Sequence, residues 1–264
     1  MNDRAPLSAT PRTRLGRLKE RGRTGRGELY AVLDAALVCH LGVIIGGSPV
    51  VLPTGYGRIG DTLYLHGSVA NKSLGAADGQ PVCVTVTHLD GIVLARSVFH
   101  HSVNYRSAVI FGTARVITDD PERLRGLRAI VDQLAPGQWD TARAPTRKEL
   151  AATTVIALSL ADASVKVRTG PPVDDEQDHD LGLWAGVLPV HVTFGAADAD
   201  PALPAGVAVP AHVRDRRWPA TPAGGGTGSR ARSQRGSGSR SGTMAVSCSN
   251  DRPARLDRLR NDRS

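Results

Sequence analysis

The amino-acid sequence predicts a mainly β protein, a small β-barrel with peripheral helices, that ends in a disordered tail. Apolar and β-branched segments of strand length recur from residue 37 to residue 168, separated by Gly, Pro, Asn and Asp residues. Helical spacing of apolar residues is confined to two or three short segments. From Thr221 to Thr243, Gly, Ser and Arg make up 16 of 23 residues. Such a segment buries too little apolar surface to offset its backbone entropy.

The strand predictions depend on alternation and on turn signals between the strands. Gly46-Gly47-Ser48-Pro49 and Gly57–Asp61 indicate turns in a β-meander, and Asp90-Gly91 is typical of a hairpin. Strands that follow one another with few helices between them favour a barrel over alternating βα units. The predicted strands are Leu37–Ile45, Val50–Tyr56, Thr62–His66, Pro81–His88, Ile92–Val98, Ser107–Thr118, Thr153–Leu160 and Ser164–Arg168.

Helices are predicted at three places. The strongest signal begins at Asp119, where a carboxylate cap is followed by a proline in the first turn. Apolar residues then recur at helical spacing from Leu124 to Leu134, before a Pro-Gly stop. Weaker signals predict short helices at Glu28–Ala36 and Ser68–Ala77.

The positive charge of the chain lies at its two ends. Lys and Arg number 33 against 25 Asp and Glu, a formal net charge of +8. Residues 1–27 carry +6 and residues 213–264 carry +8, whereas the middle has 13 basic and 19 acidic residues. We therefore predict a basic N-terminal arm (1–27), poorly ordered or docked, a folded domain (28–212) and a disordered tail (213–264). A net-negative domain argues against a nucleic-acid clamp, and the Arg-rich tail is either a solvated extension or an arm for RNA or a membrane surface.

Several classes of site lack their signatures. The three cysteines form no CxxC pair, which argues against a disulfide framework or a zinc site, and no metal is predicted. The longest apolar runs are about ten residues, too short to span a bilayer. No signal-peptide core follows the Arg-rich start, and no GxGxxG follows a predicted strand. These features predict a cytoplasmic protein without membrane contact.

One segment has the residue types of a ligand site. A predicted strand ends at His66, and the turn Gly67–Ser73 (GSVANKS) leads into a predicted helix. Gly67 permits close approach of a ligand to the backbone, Ser68 and Asn71 offer hydrogen bonds, and Lys72 offers a positive charge where free N–H groups also favour an anion. This set suits a phosphate monoester. The alternative is a plain helix cap with one solvated lysine.

The segment Val50–Leu74 resembles the flavin-binding segment of the pyridoxamine 5′-phosphate oxidase superfamily, the FMN-binding split barrels. In that family a Ser-Arg-Lys-type turn follows the strand, and Lys72 falls on its terminal lysine, while Ala70 and Asn71 replace the preceding pair. Arg96–Ser107 and Ser164–Pro172 are similar to stretches of the flavin-nucleotide-binding branch, so that the resemblance covers about residues 28–195. It implies a split barrel, FMN as cofactor, and a homodimer with two FMN molecules across the subunit interface.

The resemblance also implies roles for particular residues. Arg106 falls where it could give a second phosphate contact, acting from the partner subunit, because a guanidinium fork suits a phosphate. His66 points from a strand end into the implied flavin cleft, where an imidazole can hydrogen-bond the flavin or donate a proton; the alternative is a packed strand histidine. His66 is the predicted catalytic residue, and the predicted cofactor-binding residues are Pro53, Thr54, Tyr56, Gly67, Ser68, Asn71, Lys72, Arg106 and Ser107.

The leading functional prediction is an FMN-dependent oxidoreductase acting on an unknown small substrate or electron donor. The alternative is a non-catalytic binding protein or sensor for flavin, haem or a deazaflavin. Pyridoxal phosphate synthesis itself is disfavoured, because the chain lacks the Arg-Leu-His-type motif of true pyridoxamine 5′-phosphate oxidases near its end. The acidic run Asp174–Asp178 is predicted as a solvated loop, and the roles of His100, His101, Lys166 and Arg168 stay open.

Overall fold

A computed structural model of the chain describes residues 6–219, except Ser8, Asn71 and the side chain of Lys72. Within this part, ten strands form one mainly antiparallel sheet that curls into a split barrel. The strand order is β1-β9-β6-β5-β2-β3-β4-β8-β7, and β10 adds to β5. The prediction of a mainly β fold with peripheral helices is confirmed.

The elements lie close to the predicted ones, with a few shifts at their ends. The strands are β1 (Gly22–Arg23), β2 (Val38–Ile45), β3 (Ser48–Ile59), β4 (Thr62–Ser68), β5 (Pro81–Leu94), β6 (Ser102–Thr113), β7 (Arg115–Val116), β8 (Thr153–Ser159), β9 (Asp162–Arg168) and β10 (Gly186–Pro189). The helices are α1 (Arg26–Asp34), α2 (Lys72–Ala76), α3 (Asp120–Leu134), α4 (Gln138–Thr141), α5 (Arg147–Ala151) and α6 (Ala211–Arg214). Asp119 caps α3 as predicted, its side chain accepting from the Glu122 N–H at 2.9 Å.

The barrel interior follows from period-two alternation along the strands. In β2, Cys39, Leu41 and Val43 are buried while the residues between them face outward. β3 and β5 supply inward residues in the same way, and α1 covers one end of the barrel with Leu29 and Leu33. A second, smaller apolar cluster lies between β4, β8 and α3.

Two glycines let α3 pack close to the sheet. A Cβ on Gly57 of β3 would lie 2.3 Å from the carbonyl carbon of Ala129, and one on Gly126 of α3 would lie 2.7 Å from the ring of Tyr64. Only a missing side chain permits such an approach. The predicted turn at Gly57–Asp61 is therefore shorter than expected, because β3 continues to Ile59 under the helix.

The predicted hairpin at Asp90-Gly91 is wrong. β5 runs without a break from Pro81 to Leu94, and its register with β6 shifts between Leu89 and Gly91, which is a β-bulge. A type I′ hairpin needs positive φ at both turn residues, and Gly91 does not have it. Pairing with β6 on one side and β10 on the other keeps the strand extended.

The N-terminal segment is docked on the barrel rather than free. Leu7 belongs to the buried core, and its N–H donates to the Thr24 carbonyl at 2.7 Å. Thr10 Oγ1 donates to the Asp162 carboxylate at 2.7 Å, and β1 pairs with β9. Of the two alternatives for the N-terminal arm, the described residues 6–27 take the docked one.

The acidic run after β9 is not simply solvated. The Asp174 side chain is 1% exposed and accepts from the backbone N–H and the guanidinium of Arg96 at 2.7 and 2.9 Å. It fastens the chain after β9 to the end of β5. Further on, Arg216 bonds the end of α3 and Trp218 packs against Phe194, so that ordered structure passes the predicted boundary at residue 212. Residues 220–264, the rest of the predicted disordered tail, lie outside the described part of the chain.

Candidate functional site

The barrel opens between β3 and β4. Their hydrogen-bonded register runs from Ile59–Thr62 to Tyr56–Leu65. Beyond this point β3 continues in register with β2, and β4 continues in register with β8 from His66 to Ser68. The two strands therefore separate, and we call this opening the β3–β4 split.

Most of the predicted cofactor residues flank the β3–β4 split. Pro53 and Thr54 lie on the β3 side, and Gly67 and Ser68 lie on the β4 side. The Ser68 hydroxyl accepts from the Ala70 N–H at 3.2 Å, which bends the chain into the turn before α2. Asn71 lies outside the described residues, and Lys72 is the first residue of α2. His66, Gly67 and Ser68 thus follow one another in the separated part of β4, just before Lys72, while Pro53 and Thr54 lie on the other side of the opening, in β3.

His66, the predicted catalytic residue, lies in the separated part of β4. Its Nδ1 is buried and has no hydrogen-bond partner within the described chain. Burial lowers the pKa of His66 below the usual histidine value, so that the neutral imidazole prevails at neutral pH. A buried polar atom without a partner costs about 1–3 kcal/mol, and a ligand that supplied the missing partner would recover that energy.

Tyr56 does not fit its prediction as a cofactor-binding residue. Its side chain is fully buried in the barrel core, and its hydroxyl donates to the Leu33 carbonyl. Burial raises the pKa of Tyr56 far above its usual value. Alternation along β3 places Tyr56 on the same face as Thr54. At Tyr56, however, β3 is still paired with β4, so that the side chain is enclosed in the barrel. Tyr56 therefore anchors α1 to the barrel.

A second opening lies between β2 and β5. Their register extends from Gly42–Cys83 to His40–Thr85 and stops there. Past this point the strands enclose a groove of about 610 Å³, which we call the β2–β5 groove. Its lining comprises Ala36, Leu37, Val38, Thr87, His88, Leu89, Asp90, Arg106, Val190, His191, Val192, Thr193, Trp218 and Pro219.

Arg106 lies in the β2–β5 groove and not at the β3–β4 split. In the sheet order, β5 and β2 separate its strand from β3. Its guanidinium forms two hydrogen bonds with the Asp90 carboxylate, at 2.8 and 2.9 Å, and both side chains are largely buried. The chain therefore compensates this charge internally and does not bring Arg106 to Lys72. Contact of Arg106 with a phosphate of a partner subunit stays a prediction.

Ser107 and His88 lie on opposite faces of the sheet. Ser107 faces away from Arg106, and its hydroxyl lies 3.4 Å from the Lys166 carbonyl. His88 is buried beside Arg106, with Nε2 2.9 Å from the Val32 carbonyl, so that Nε2 is the protonated nitrogen. Burial is the main cause that lowers the pKa of His88. His88 is a neutral group in the floor of the groove.

One wall of the groove comes from the end of the described chain. The Arg216 guanidinium donates to the carbonyls of Gln133 and Leu134 at the end of α3, at 3.2 and 3.4 Å, and lies 5.2 Å from the Phe194 ring. The Phe194 and Trp218 rings are 5.2 Å apart. Sequence reasoning missed this wall, because an isolated Trp-Pro pair before a Gly-rich tail has no recognisable pattern.

Three of the four residues with open roles, Arg168, His100 and His101, have structural partners. Arg168 is buried and bonds Asn104 and the carbonyls of Gly170 and Pro171. His100 faces Asp175 at 3.2 Å, and His101 lies 3.0 Å from the Ser97 carbonyl. These contacts fasten the loop after β5 and the chain after β9. No group of three or more His, Cys, Asp or Glu residues able to hold a metal occurs in the described part of the chain.

The fold and the β3–β4 split define a split-barrel protein of the flavin-binding type. A family model for pyridoxamine 5′-phosphate oxidase matches residues 25–167. The chain therefore belongs to the pyridoxamine 5′-phosphate oxidase family, and the predicted resemblance is confirmed. No curated protein matches the sequence.

Two solved structures are similar over nearly their whole length. The flavocytochrome Anf3 from Azotobacter vinelandii is 39% identical, with a TM-score of 0.77, and the match covers 81% of this chain and 100% of that one. The FAD and haem binding protein from Mycobacterium smegmatis is 42% identical, with a TM-score of 0.72, and the match covers 75% and 98% of the two chains. No helix among residues that the structure describes is both long and apolar enough to cross a bilayer.

Proposed function

We propose that this protein binds a flavin at the β3–β4 split and also binds haem, and that it acts as a cytoplasmic oxidoreductase that passes electrons from a small reduced donor to an acceptor. The observation that carries the proposal is the buried, unpartnered Nδ1 of the neutral His66 imidazole at the separated end of β4. Two relatives named as a flavocytochrome and as an FAD and haem binding protein support the two cofactors.

The residues at the β3–β4 split fit a flavin. Gly67 lets a planar ring approach the backbone of β4, and Pro53 lacks an N–H, so it leaves no unsatisfied donor on its side of the opening. Lys72 would hold a phosphate group by a charge-assisted hydrogen bond. His66 would hydrogen-bond the ring edge or the substrate and move a proton at its ring nitrogen. A bound flavin supplies the hydride and one-electron chemistry.

The proposed flavin is FMN rather than FAD. The resemblance to the FMN-binding split barrels predicts FMN, whereas the Mycobacterium smegmatis relative is named for FAD. Both nucleotides carry the isoalloxazine ring and a phosphate, so the β3–β4 split suits either. We retain FMN as the prediction, and the nucleotide released from the purified protein decides.

The proposal includes a homodimer. Ile44 of β2 and Val51 of β3 are apolar side chains on the same outward face and are 58% and 64% exposed. Exposed apolar side chains grouped on one strand face are typical of a protein interface. We expect a dimer that buries more than about 1,600 Å² in total, and light scattering that reports a flavin-saturated monomer would contradict it.

The experiment starts from purified full-length protein. Heat denaturation should release one flavin per chain, identified by chromatography against FMN and FAD, and anaerobic NADH or NADPH should bleach the flavin absorbance. Lys72→Ala should weaken flavin binding by about 1.5–3 kcal/mol, the size of a charge-assisted hydrogen bond. Lys19→Ala, in the segment beside β9 at the other end of the strand order, is the matched control. A protein without any bound flavin after reconstitution would overturn the proposal.

The catalytic role of His66 needs a separate measurement. His66→Gln keeps a hydrogen-bonding group but cannot carry a proton at neutral pH. We expect bound flavin with slower turnover of the donor in this variant, by about 10²-fold or more for a lost proton donor. Unchanged turnover would favour the alternative in which the protein binds flavin without using His66.

A further inference from the structure

The β2–β5 groove has the size and lining of a cofactor site, and the β3–β4 split does not account for it. Its volume of about 610 Å³ falls within the range of about 300–1,000 Å³ usual for ligand pockets. Leu37, Val38, Leu89, Val192 and Trp218 make its walls apolar. A flat apolar ligand with a polar edge would fit such a groove.

The charges in the floor of the groove argue against a phosphate as its main ligand group. Arg106 is the cation of the floor, and Asp90 holds it in a buried two-bond pair. His88 is held neutral, with Nε2 occupied by the Val32 carbonyl. A phosphate placed here would face a cation already neutralised by the chain. The groove is therefore a poor nucleotide site, whereas its apolar walls and its volume suit a macrocycle.

One histidine in the groove is placed to ligate a metal inside that macrocycle. His191 lines the groove and makes no hydrogen bond to another described residue. The preceding residue is anchored, because the Val190 N–H donates to the Asp90 carbonyl at 3.1 Å. A neutral imidazole is a common axial ligand of haem iron. We infer that the β2–β5 groove is the haem site, with His191 as the axial ligand and Trp218 as a wall against the ring; this rests on the proposed binding of haem.

The position of the groove suits electron transfer to the β3–β4 split. Val38 lines the groove and is in register with Gly55, which borders the split. Only the paired strands β2 and β3 separate the two openings, and neighbouring strands lie about 4.8 Å apart. Each opening of the barrel then holds one redox group, with the paired strands β2 and β3 between them.

The test uses full-length protein freed of haem and titrated with ferric protoporphyrin IX. The readouts are the Soret band and the fluorescence of Trp218 in a background with Trp139→Phe and Trp184→Phe. We expect one haem per chain, a Soret band typical of histidine ligation, and quenching of Trp218. His191→Ala should weaken binding by more than about tenfold and shift the band, and added imidazole should restore the band. Circular dichroism confirms that this variant is folded, and His101→Ala, outside the groove, is the matched control.

Three outcomes separate the inference from the proposed function. If the parent protein binds no haem while it retains flavin, the haem part of the proposed function fails and the inference fails with it. If the parent binds haem and His191→Ala binds it with the same affinity and spectrum, the inference alone is overturned. Loss of the Soret band in His66→Gln with an intact band in His191→Ala would move the haem to the β3–β4 split and also overturn it.

Discussion

The β3–β4 split and the β2–β5 groove arise in the same way but are built differently. Each forms where two strands of the barrel stop pairing and each strand continues with another neighbour. The described residues of the split all lie between Pro53 and Ser68, whereas the groove draws on residues from Ala36 to Pro219. The split has a histidine whose Nδ1 has no hydrogen-bond partner among the described residues, and the groove has a floor of charges that compensate one another.

The difference shows why one opening can be predicted from sequence and the other cannot. A site built within one strand–turn–strand segment leaves a local pattern in the sequence. Gly67, Ser68 and Lys72 form part of that pattern. A site assembled from five distant segments leaves none. The buried pair Arg106–Asp90 forms the floor of the groove, and each of its members looks ordinary in the sequence.

The largest expected effect is on the groove. Asp90→Ala leaves Arg106 buried without its carboxylate, and breaking a buried ion pair from one side costs about 3–5 kcal/mol. Urea unfolding of the flavin-free protein should show this loss in the free energy of unfolding. The double variant Asp90→Leu with Arg106→Met removes both charges and should lose less than the single one. A single variant as stable as the parent would contradict the burial of this pair.

The second effect compares the closed and open parts of β3. Gly57→Ala would place a methyl group 2.3 Å from the backbone of Ala129 and should destabilise the protein by about 3 kcal/mol, at the upper end for overpacking. Gly55→Ala, two residues nearer the β3–β4 split, has its nearest neighbour 4.0 Å away, at the Leu37 carbonyl, and is the matched control. Equal melting temperatures for the two variants would contradict the close contact of α3 with β3.

The fold could be predicted from sequence wherever local chemistry and tertiary pairing agree. The strand β2 and the capped helix α3 lie almost where alternation and capping predict them. The Asp90-Gly91 hairpin failed because pairing on both sides of β5 overrode a strong turn dipeptide. Tyr56 was misjudged because alternation places it on the inner face of β3, at the closed end of the strand pair.

The site could be predicted only in its local part. Gly67 and Ser68 are predicted from residue types that suit a ligand, and His66 from its place at a strand end; the structure places them next to the β3–β4 split, and their binding roles stay predictions. Arg106 was assigned to a phosphate because the sequence does not show Asp90 beside it. That contact depends on the bulge in β5, which turns the Asp90 side chain toward β6, and bulges commonly re-aim side chains in this way.

The third effect separates the two histidines by pH. The pKa values of His66 and His88 are both lowered by burial in the folded protein. Below about pH 6.5, the usual pKa of histidine, the unfolded chain binds protons that the folded protein does not bind. The free energy of unfolding should therefore fall as the pH drops below that value, by at most about 1.4 kcal/mol per pH unit for each histidine.

Single variants assign this pH dependence to the two openings. His66→Gln should remove one part of the slope and His88→Gln another, measured by urea unfolding between about pH 5 and pH 8. His101→Gln, on an exposed loop, should leave the slope unchanged. A pH profile of the parent that stays flat below pH 6.5 would show that neither imidazole is held neutral by burial.

The smallest effect concerns the C-terminal residues and decides where the folded part ends. Truncation after Pro219 removes residues 220–264, nine Arg and three Asp, and lowers the formal charge from +8 to +2. We expect unchanged flavin affinity and thermal stability, because the composition of residues 220–264 predicts that they do not pack against the folded domain. Truncation after His212 also removes Arg216 and Trp218, and should cost about 1 kcal/mol through the lost bonds to the end of α3.

The two truncations also separate the roles of the charge and of the groove wall. If the arginines after Pro219 bind polyanions, truncation after Pro219 should by itself abolish salt-sensitive retention on heparin or RNA. If Trp218 forms the groove wall, haem affinity should fall with truncation after His212 and stay the same with truncation after Pro219. Equal haem affinity in the two truncated proteins would show that Trp218 does not contact the haem. The role of His191 is tested separately by His191→Ala.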